Sequence, residues 1–431
     1  MVNDIDLSTT LRQLRRSLPQ LARLPRGVKD RALQSMSGRL REQADQILEA
    51  NTLDLENCRS QQMPTWVLEG MKLTPERLLK TTHQMKSLAY LPDPVGRIDQ
   101  SWHTEQGTIV NRYRVPLGLV ALVYEIYPEF AISGLSMAVK SGNGMVLSCN
   151  VALQNTHLAL VNLLSEAAYS EGLPEGSLQS FSEAEAIPFQ AGISPTLPLL
   201  QQARFLDLVI PCGRPSWVES VAESSAVPVL QTRLGYGHVY IDQGAGWDPV
   251  QTLLLQSLSQ TLLESTALLQ PITLWWLIHE AWAECYLADL ITELTHRGWL
   301  LQVDQAIQRQ FPQLPAITEL IDSGAQSHQR LQLTPSLPEA ITWINKNGFR
   351  HSEAIYSDSH TAIQRFIQEV DAATICVNSP LFSNPSGLGI PALEGGAGLS
   401  LGTSVQKLHA RGPITLEALT TIKFVETGML P

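Results

Sequence analysis

The hydrophobic pattern changes in character along the chain. Residues 1–90 place apolar side chains at helical spacing, for example Leu11, Leu14 and Leu18, so this part is predicted to be helical. The segment from Trp102 to Tyr113 alternates apolar and polar positions around Gly107, which predicts a β-hairpin. From residue 114 onwards, short apolar runs alternate with helical segments, a pattern typical of α/β proteins.

A strand–helix–strand unit is predicted between Val115 and Ser148. The apolar run from Val115 to Tyr124 predicts a buried strand, and the segment after Pro128 predicts a helix with a broad apolar face. Such a unit belongs to a parallel sheet, and ligands bind beyond the carboxyl ends of the strands of these sheets. We therefore expect Tyr124–Glu129 to form one wall of a functional site.

Length and charge narrow the class of protein. A chain of 431 residues is expected to form two or three domains. Its net charge of −11 argues against a nucleic-acid partner or an anionic membrane surface. The best candidate for a membrane span, Leu274–Ile278, is far too short to cross a bilayer, and the N-terminus shows no signal-peptide pattern. Five scattered cysteines without CxxC spacing fit a reducing cytoplasm and predict no metal site.

Four motifs occur in a specific order: LPDPVG from Leu91, KSGN from Lys140, HSEAI from His351 and QKLHARGP from Gln406. In this combination the chain resembles the γ-glutamyl phosphate reductase family, also called glutamate-5-semialdehyde dehydrogenase, of the aldehyde dehydrogenase superfamily. The resemblance covers nearly the whole chain, from roughly residue 30 onwards.

The resemblance implies an aldehyde-dehydrogenase-like α/β fold with two doubly wound parallel-sheet domains and a small β arm for self-association. It implies a dinucleotide-binding-like domain at 1–101 and 114–245 and a second, catalytic-type domain at 246–378. The arm would comprise 102–113 and 403–431, and 379–402 would form a return loop.

The implied activity is the NADPH-dependent reduction of L-glutamyl 5-phosphate to L-glutamate 5-semialdehyde, in proline biosynthesis. A thiolate attacks the acyl carbon and expels phosphate, and a nicotinamide then delivers hydride to the thioester. Counting back from the matching Ile278-His279-Glu280 places Gln270 where the family has this cysteine. Because a carboxamide is no nucleophile at neutral pH, Gln270 is predicted to be non-functional, and activity is doubtful.

Two further positions depart from the family pattern. The family motif YEARPN ends in an asparagine that donates to the oxyanion, whereas YEIYPE ends in Glu129 here. Glu129 either faces the pocket or is an exposed loop residue turned to solvent. Gln231 stands at the position of the superfamily's glutamate base.

The positions that would hold NADP(H) are also altered, so binding of the cofactor is doubtful. Ser148 replaces a basic residue, and Gly213 is followed by Arg214, which either meets a phosphate or lies on the surface. Gly235 is preceded by two bulky residues where the family has GTG.

The framework residues His351, Lys407, His409 and Arg411 are kept. The histidines are interpreted as structural, whereas Lys407 and Arg411 either hold substrate or, as we favour, brace the protein. Two hypotheses follow from these residues: a divergent reductase, or an inactive binding or regulatory homologue. A homo-oligomer is expected under either hypothesis, and the second would pair with an active reductase or glutamate 5-kinase.

Overall fold

The computed structural model describes residues 7–181, 197–232, 237–268, 274–317, 328–381 and 400–428. These residues fall into two compact units. The first consists of the described parts of Met1–Thr232, Leu393–Gly402 and Gln406–Pro431. The second consists of the described parts of Arg233–Ala392 together with Thr403–Val405. Most of the predicted return loop at 379–402 lies outside the described residues.

The described helices are, in chain order, α1 (Leu7–Leu21), α2 (Arg26–Glu42), α3 (Ala44–Ser60), α4 (Thr65–Met71), α5 (Pro75–Tyr90), α6 (Glu129–Ser141), α7 (Gln154–Ser170), α8 (Leu197–Leu200), α9 (Pro215–Ser224), α10 (Trp247–Leu268), α11 (Glu280–His296), α12 (Gln305–Gln310), α13 (Leu337–Asn347) and α14 (His360–Glu369). The described strands are β1 (Ile98–His103), β2 (Ile109–Pro116), β3 (Leu119–Tyr124), β4 (Gly144–Cys149), β5 (Leu178–Ser180), β6 (Leu208–Cys212), β7 (Gly237–Ile241), β8 (Leu274–His279), β9 (Leu300–Val303), β10 (His328–Thr334), β11 (Ser352–Tyr356), β12 (Thr374–Val377), β13 (Thr403–Ser404), β14 (Gly412–Pro413) and β15 (Thr420–Thr427).

The first unit contains a parallel sheet with strand order β5-β4-β3-β6. Helix α6 joins β3 to β4, so the predicted strand–helix–strand unit is confirmed. Gly142 ends α6 in the left-handed conformation at φ 71°, which glycine adopts without steric cost. The predicted strand from Val115 to Tyr124 is interrupted at Gly118, where φ is 129° and an added Cβ would clash with Asp207. Val115 and Pro116 therefore end β2, and β3 begins at Leu119.

Both faces of this sheet are covered, as its continuous apolar strands predict. Helices α2, α3, α5, α6 and α7 contribute to a cluster on one face, and α1 and α8 to a cluster on the other. Alternate side chains of β3 enter the two clusters: Val120, Leu122 and Tyr124 enter the first, and Leu119, Ala121 and Val123 the second. Because successive side chains of a strand point to opposite faces, β3 is packed on both sides. This packing fixes the position of its carboxyl end.

A three-stranded antiparallel sheet of order β1-β2-β15 lies in the same unit. The predicted hairpin is confirmed, since β1 pairs with β2 and Gly107 lies in the turn with φ 80°. Trp102 and Phe424 are exposed and meet edge to face, with their ring centroids 6.2 Å apart.

The second unit contains a parallel sheet of order β12-β11-β7-β8-β10-β9. Strand β7 belongs to this sheet, whereas the sequence analysis placed residues up to 245 in the first domain. The physical reason is that β7 pairs with β8 and β11, and its side chains enter two hydrophobic clusters of this unit. None of the helices in the described part of the chain has the length and apolar character needed to span a bilayer.

Candidate functional site

The carboxyl ends of three neighbouring strands meet at one edge of the first parallel sheet. Tyr124 at the end of β3 is in register with Cys149 at the end of β4 and with Cys212 at the end of β6. All three side chains are buried. The segment Glu125–Glu129 leaves β3 at this edge and leads directly into α6. The candidate site is built around this segment, as the strand–helix–strand pattern predicts.

Glu125 and Arg214 form an ion pair across this edge. The carboxylate of Glu125 is almost fully buried and accepts hydrogen bonds from Arg214 Nε at 2.9 Å and Nη2 at 2.5 Å. It also accepts one from the backbone N–H of Arg214 at 2.9 Å. A neighbouring internal carboxylate therefore occupies these donors of Arg214, the residue predicted either to meet a phosphate or to lie on the surface.

Two other predicted cofactor positions lie close by. Ser148 is buried in β4. Gly213 is enclosed, because an added Cβ would come within 2.8 Å of both Glu125 and Trp217. The loop after β6 thus folds directly against the loop after β3. Gly235, the fourth predicted position, lies outside the described residues.

Glu129 is the first residue of α6 and forms an ion pair with Arg77 of α5. Its side chain is 20% exposed, so the interpretation as a loop residue turned to solvent is wrong. Arg77 Nε donates to Glu129 Oε1, and Arg77 Nη1 donates to the backbone carbonyls of Lys72 and Glu69 at the end of α4. Arg77 Nη2 and Glu129 Oε2 are both buried and have no hydrogen-bond partner within the described residues.

A buried hydrogen-bond chain lies behind the carboxyl end of β3. Tyr124 Oη lies 2.6 Å from His157 Nδ1, and His157 Nε2 lies 2.7 Å from Ser180 Oγ. Burial lowers the pKa of His157 to about 4, so the imidazole is neutral near pH 7. Burial also raises the pKa of Tyr124 well above its ordinary value. Neutral groups held this way support the strand end and offer no acid or base near pH 7.

The remaining predicted site residues are spread over both units. The backbone N–H of Gln231 donates to Gln406 Oε1 at 2.8 Å. His351 is buried and shares a hydrogen bond with Ser352 Oγ, and His409 Nε2 donates to the carbonyl of Ala418. Lys407 is exposed and Arg411 is half-buried. Gln270, which was predicted to stand at the family's nucleophile position, lies outside the described residues.

All five cysteines of the chain fall in the described ranges. Four of them are buried, namely Cys58, Cys149, Cys212 and Cys376. Burial raises the pKa of Cys58 and of Cys376 to about 11, and it raises the pKa of Cys149 and Cys212 further still. These four remain protonated thiols near pH 7 and are poor nucleophiles. Cys285 is exposed and lies within α11.

Glu125, Arg77 and His157 were not predicted as site residues from the sequence. Glu125 stands in the quoted segment YEIYPE, directly after a predicted strand, so its position could have drawn attention. Arg77 carried no such signal, because it reaches Glu129 across 52 residues of chain. His157 lies inside α7, and the sequence around it carries no motif that would mark a functional histidine.

No family model matches this chain. It is 33% identical to the γ-glutamyl phosphate reductase of Gloeobacter violaceus, over 98% of this chain and 97% of that protein. It is 32% identical to the γ-glutamyl phosphate reductase of Clostridium kluyveri, over 96% and 95% of the two chains. Among solved structures, the γ-glutamyl phosphate reductase of Thermotoga maritima superposes with a TM-score of 0.84 at 27% identity, over 97% and 98% of the chains. An acetylating aldehyde dehydrogenase from Geobacillus thermoglucosidasius shares the fold, with a TM-score of 0.66 at 16% identity over 98% and 96%.

Proposed function

The chain belongs to the γ-glutamyl phosphate reductase family, and from this premise we propose that it is a divergent member that binds or regulates rather than reduces. Reduction of an acyl phosphate through a thioester requires a thiolate at the acyl carbon. The supporting observation is the distribution of its cysteines. Gln270 stands at the nucleophile position, and four of the five cysteines are buried thiols with a raised pKa.

Cys285 is the remaining thiol, and its position does not suit it as a substitute. It lies in the second turn of α11, beyond the Ile278-His279-Glu280 anchor that aligns this segment with the family. A nucleophile in this chemistry has to contact the acyl carbon, and Cys285 lies beyond the anchor, whereas the family's cysteine lies before it. We therefore propose that Cys285 does not take over the role of the missing cysteine.

The described residues at the family's cofactor positions do not fit a nicotinamide dinucleotide. Ser148 is neutral and buried, and Gly213 is closed in by Glu125 and Trp217. The guanidinium and backbone N–H of Arg214 both donate to Glu125. A pyrophosphate needs free N–H donors and positive charge at the start of a helix, and α9 begins with these groups already bound to a carboxylate.

A second candidate function is the reductase activity itself. The 33% identity over nearly the full length of a relative that bears that name favours it. The two proposals differ in one measurement: phosphate-dependent reduction of NADP⁺ by L-glutamate 5-semialdehyde with the purified protein. We expect a turnover below about 0.1 s⁻¹, a hundredfold under the typical enzyme value of about 10 s⁻¹. Turnover above that limit would establish the reductase and refute our first proposal.

A variant with a cysteine at position 270 tests whether the absence of the nucleophile alone explains the expected inactivity. We expect Gln270→Cys to remain inactive, because the changes at Ser148, Arg214 and Glu129 persist in that variant. Thiol labelling would establish that the new cysteine is accessible, and Gln270→Ser is the matched control. A gain of turnover in Gln270→Cys alone would show that only the nucleophile is missing.

We also propose self-association through the sheet of β1, β2 and β15, which exposes apolar side chains. From the family resemblance, an active reductase or glutamate 5-kinase would be the partner of a regulatory homologue. Co-purification of this chain with each of these two enzymes tests that part of the proposal.

A further inference from the structure

Glu125 and Arg214 lie at the point where the strand order of the first parallel sheet reverses. From β3 the chain adds β4 and β5 on one side, and β6 then pairs with β3 on the other side. The loops that follow β3 and β6 therefore leave the sheet next to each other. Open α/β sheets bind their ligands in the crevice at such a point. The group that the structure places there is a carboxylate of the protein itself, that of Glu125.

The carboxylate of Glu125 is held in the way that a bound anion is held. The residue is 2% exposed. Its Oε1 accepts from Arg214 Nε at 2.9 Å and from Nη2 at 2.5 Å, and its Oε2 accepts from the backbone N–H of Arg214 at 2.9 Å. A guanidinium edge and a main-chain N–H are donors that bind carboxylates and phosphates strongly, because the bonds are charge-assisted.

Helix α9 obtains its negative partner from this contact. Arg214 is the N-cap residue of α9, its side chain makes no capping bond, and the first turn contains no acidic residue. The N-terminal end of a helix carries a partial positive charge, which a nearby anion neutralises. Glu125 supplies that anion from the neighbouring loop, so it serves at the start of α9 as a bound phosphate or carboxylate would.

The side chain of Glu125 also fills the space between the two loops. A Cβ added at Gly213 would come within 2.8 Å of Glu125 and of Trp217, so an anion finds room here only when the Glu125 side chain is removed. The backbone of Glu125 is held separately, because its N–H donates to the carbonyl of Cys212 at 3.0 Å. Truncation of the side chain should therefore leave the loop in place and the donors of Arg214 directed at a space of the size of the removed group.

We propose that Glu125 is an internal occupant of an oxyanion-binding position and closes this edge of the sheet to carboxylate and phosphate ligands. The inference rests on the proposed function, because it names the contact that keeps a phosphorylated cofactor out. The donors for an anion are present, and the chain satisfies them with its own carboxylate. Removal of that carboxylate therefore opens the position to an external anion.

Titration of full-length Glu125→Ala with acetate tests the proposal, because this substitution deletes one methylene and the carboxylate, a fragment that acetate matches in size and charge. The variant is expected to bind acetate at least about tenfold more tightly than the wild type does, and inorganic phosphate likewise. The midpoint of urea unfolding at constant ionic strength measures binding, since a ligand of the folded state raises it. The shift of the wild type is subtracted, because phosphate strengthens apolar burial in any protein.

Two further variants show whether the gain depends on the donors at the start of α9. The double variant Glu125→Ala/Arg214→Ala should lose it. The matched control Glu369→Ala frees Arg365 of the exposed pair on α14 and should show no gain. The proposal is overturned if the wild type binds either anion as tightly as Glu125→Ala. It is also overturned if the double variant keeps the gain or if Glu369→Ala gains equally.

A loss of folding in Glu125→Ala would still leave the proposal testable. The refolding yield in acetate, compared with chloride of equal ionic strength, then replaces the unfolding midpoint, and a yield that acetate does not raise overturns the proposal. These titrations contain no nucleotide and no glutamyl compound. Reductase turnover in the wild type would therefore refute the proposed function without changing their outcome.

Discussion

At the scale of single residues, His157 shows how burial turns a titratable group into a structural one. Its imidazole is enclosed between Tyr124 and Ser180, and both ring nitrogens have partners. Its folded-state pKa of about 4 lies below the unfolded value of about 6.5. Above pH 6.5 both states carry the neutral ring. Between pH 6.5 and 4 only the unfolded state binds the proton, so stability falls as the pH falls.

We predict that His157 makes the free energy of unfolding fall by about 3 kcal/mol between pH 6.5 and pH 4, at 1.36 kcal/mol for each pKa unit. His157→Gln should lose this contribution to the pH dependence and show a flatter profile across the window. Urea unfolding at half-unit pH intervals measures it, with His103→Gln as the control because His103 is exposed in β1. Equal slopes in wild type and His157→Gln would contradict the assignment.

The positions predicted to depart from the family pattern come from the sequence alone, whereas the partners of these residues could not be predicted from it. Gln270, Glu129 and Ser148 follow from counting along motifs, which requires no structure. The ion pair of Glu129 with Arg77 and that of Glu125 with Arg214 join residues 52 and 89 positions apart. Pairing between residues so far apart in the sequence depends on how the helices pack, and the local hydrophobic pattern does not predict that packing.

At the scale of secondary-structure elements, α7 is held at its N-terminus by a carboxylate from another helix. Asp54 of α3 is buried and accepts from the backbone N–H groups of Asn155 and Thr156, and also from both of their side chains. The first N–H groups of a helix have no partner within the helix, and a carboxylate there also meets the positive end of the helix dipole. Asp54 thereby joins α3 to α7.

We predict that Asp54→Ala lowers the free energy of unfolding by about 3 kcal/mol, because it leaves four donors without their acceptor. Ser359→Ala is the control, since Ser359 caps α14 through a single bond to Ala362, and it should cost only about 1 kcal/mol. Urea unfolding followed by circular dichroism compares the two variants. Similar losses in both would show that the four-fold contact adds nothing beyond ordinary capping.

Helix and strand positions were largely predictable, but strand partnership was not. The end of α6 at Ser141 follows from the Gly and Asn residues after it, which is a local signal. The assignment of β7 to the second sheet depends on its contacts with β8 and β11, and its own apolar pattern would suit either sheet. The apolar pattern of a strand therefore predicts that the strand is buried, but it does not predict which strands pair with it.

At the scale of the whole molecule, the exposed apolar side chains of the antiparallel sheet bear on the oligomeric state. Phe424 is 63% exposed and Trp102 41% exposed, and Ile422 and Ile98 are exposed on the same three strands. Among the described strands, β1 and β15 are the outer ones of this sheet, and each pairs with β2 alone. Exposed apolar side chains on such strands are favourable sites for contact with a second copy of the chain.

We predict that Phe424→Asp shifts the protein towards a smaller species by raising the dissociation constant at least about tenfold. Burying a phenylalanine contributes about 1.5–3 kcal/mol, and an aspartate in its place adds the cost of burying a charge. Size-exclusion chromatography with light scattering over a dilution series measures the change. Ile367→Asp is the matched control, because Ile367 is 43% exposed on α14 of the second unit. If Phe424→Asp leaves the mass unchanged, or if both variants dissociate alike, the sheet of β1, β2 and β15 is not the contact surface.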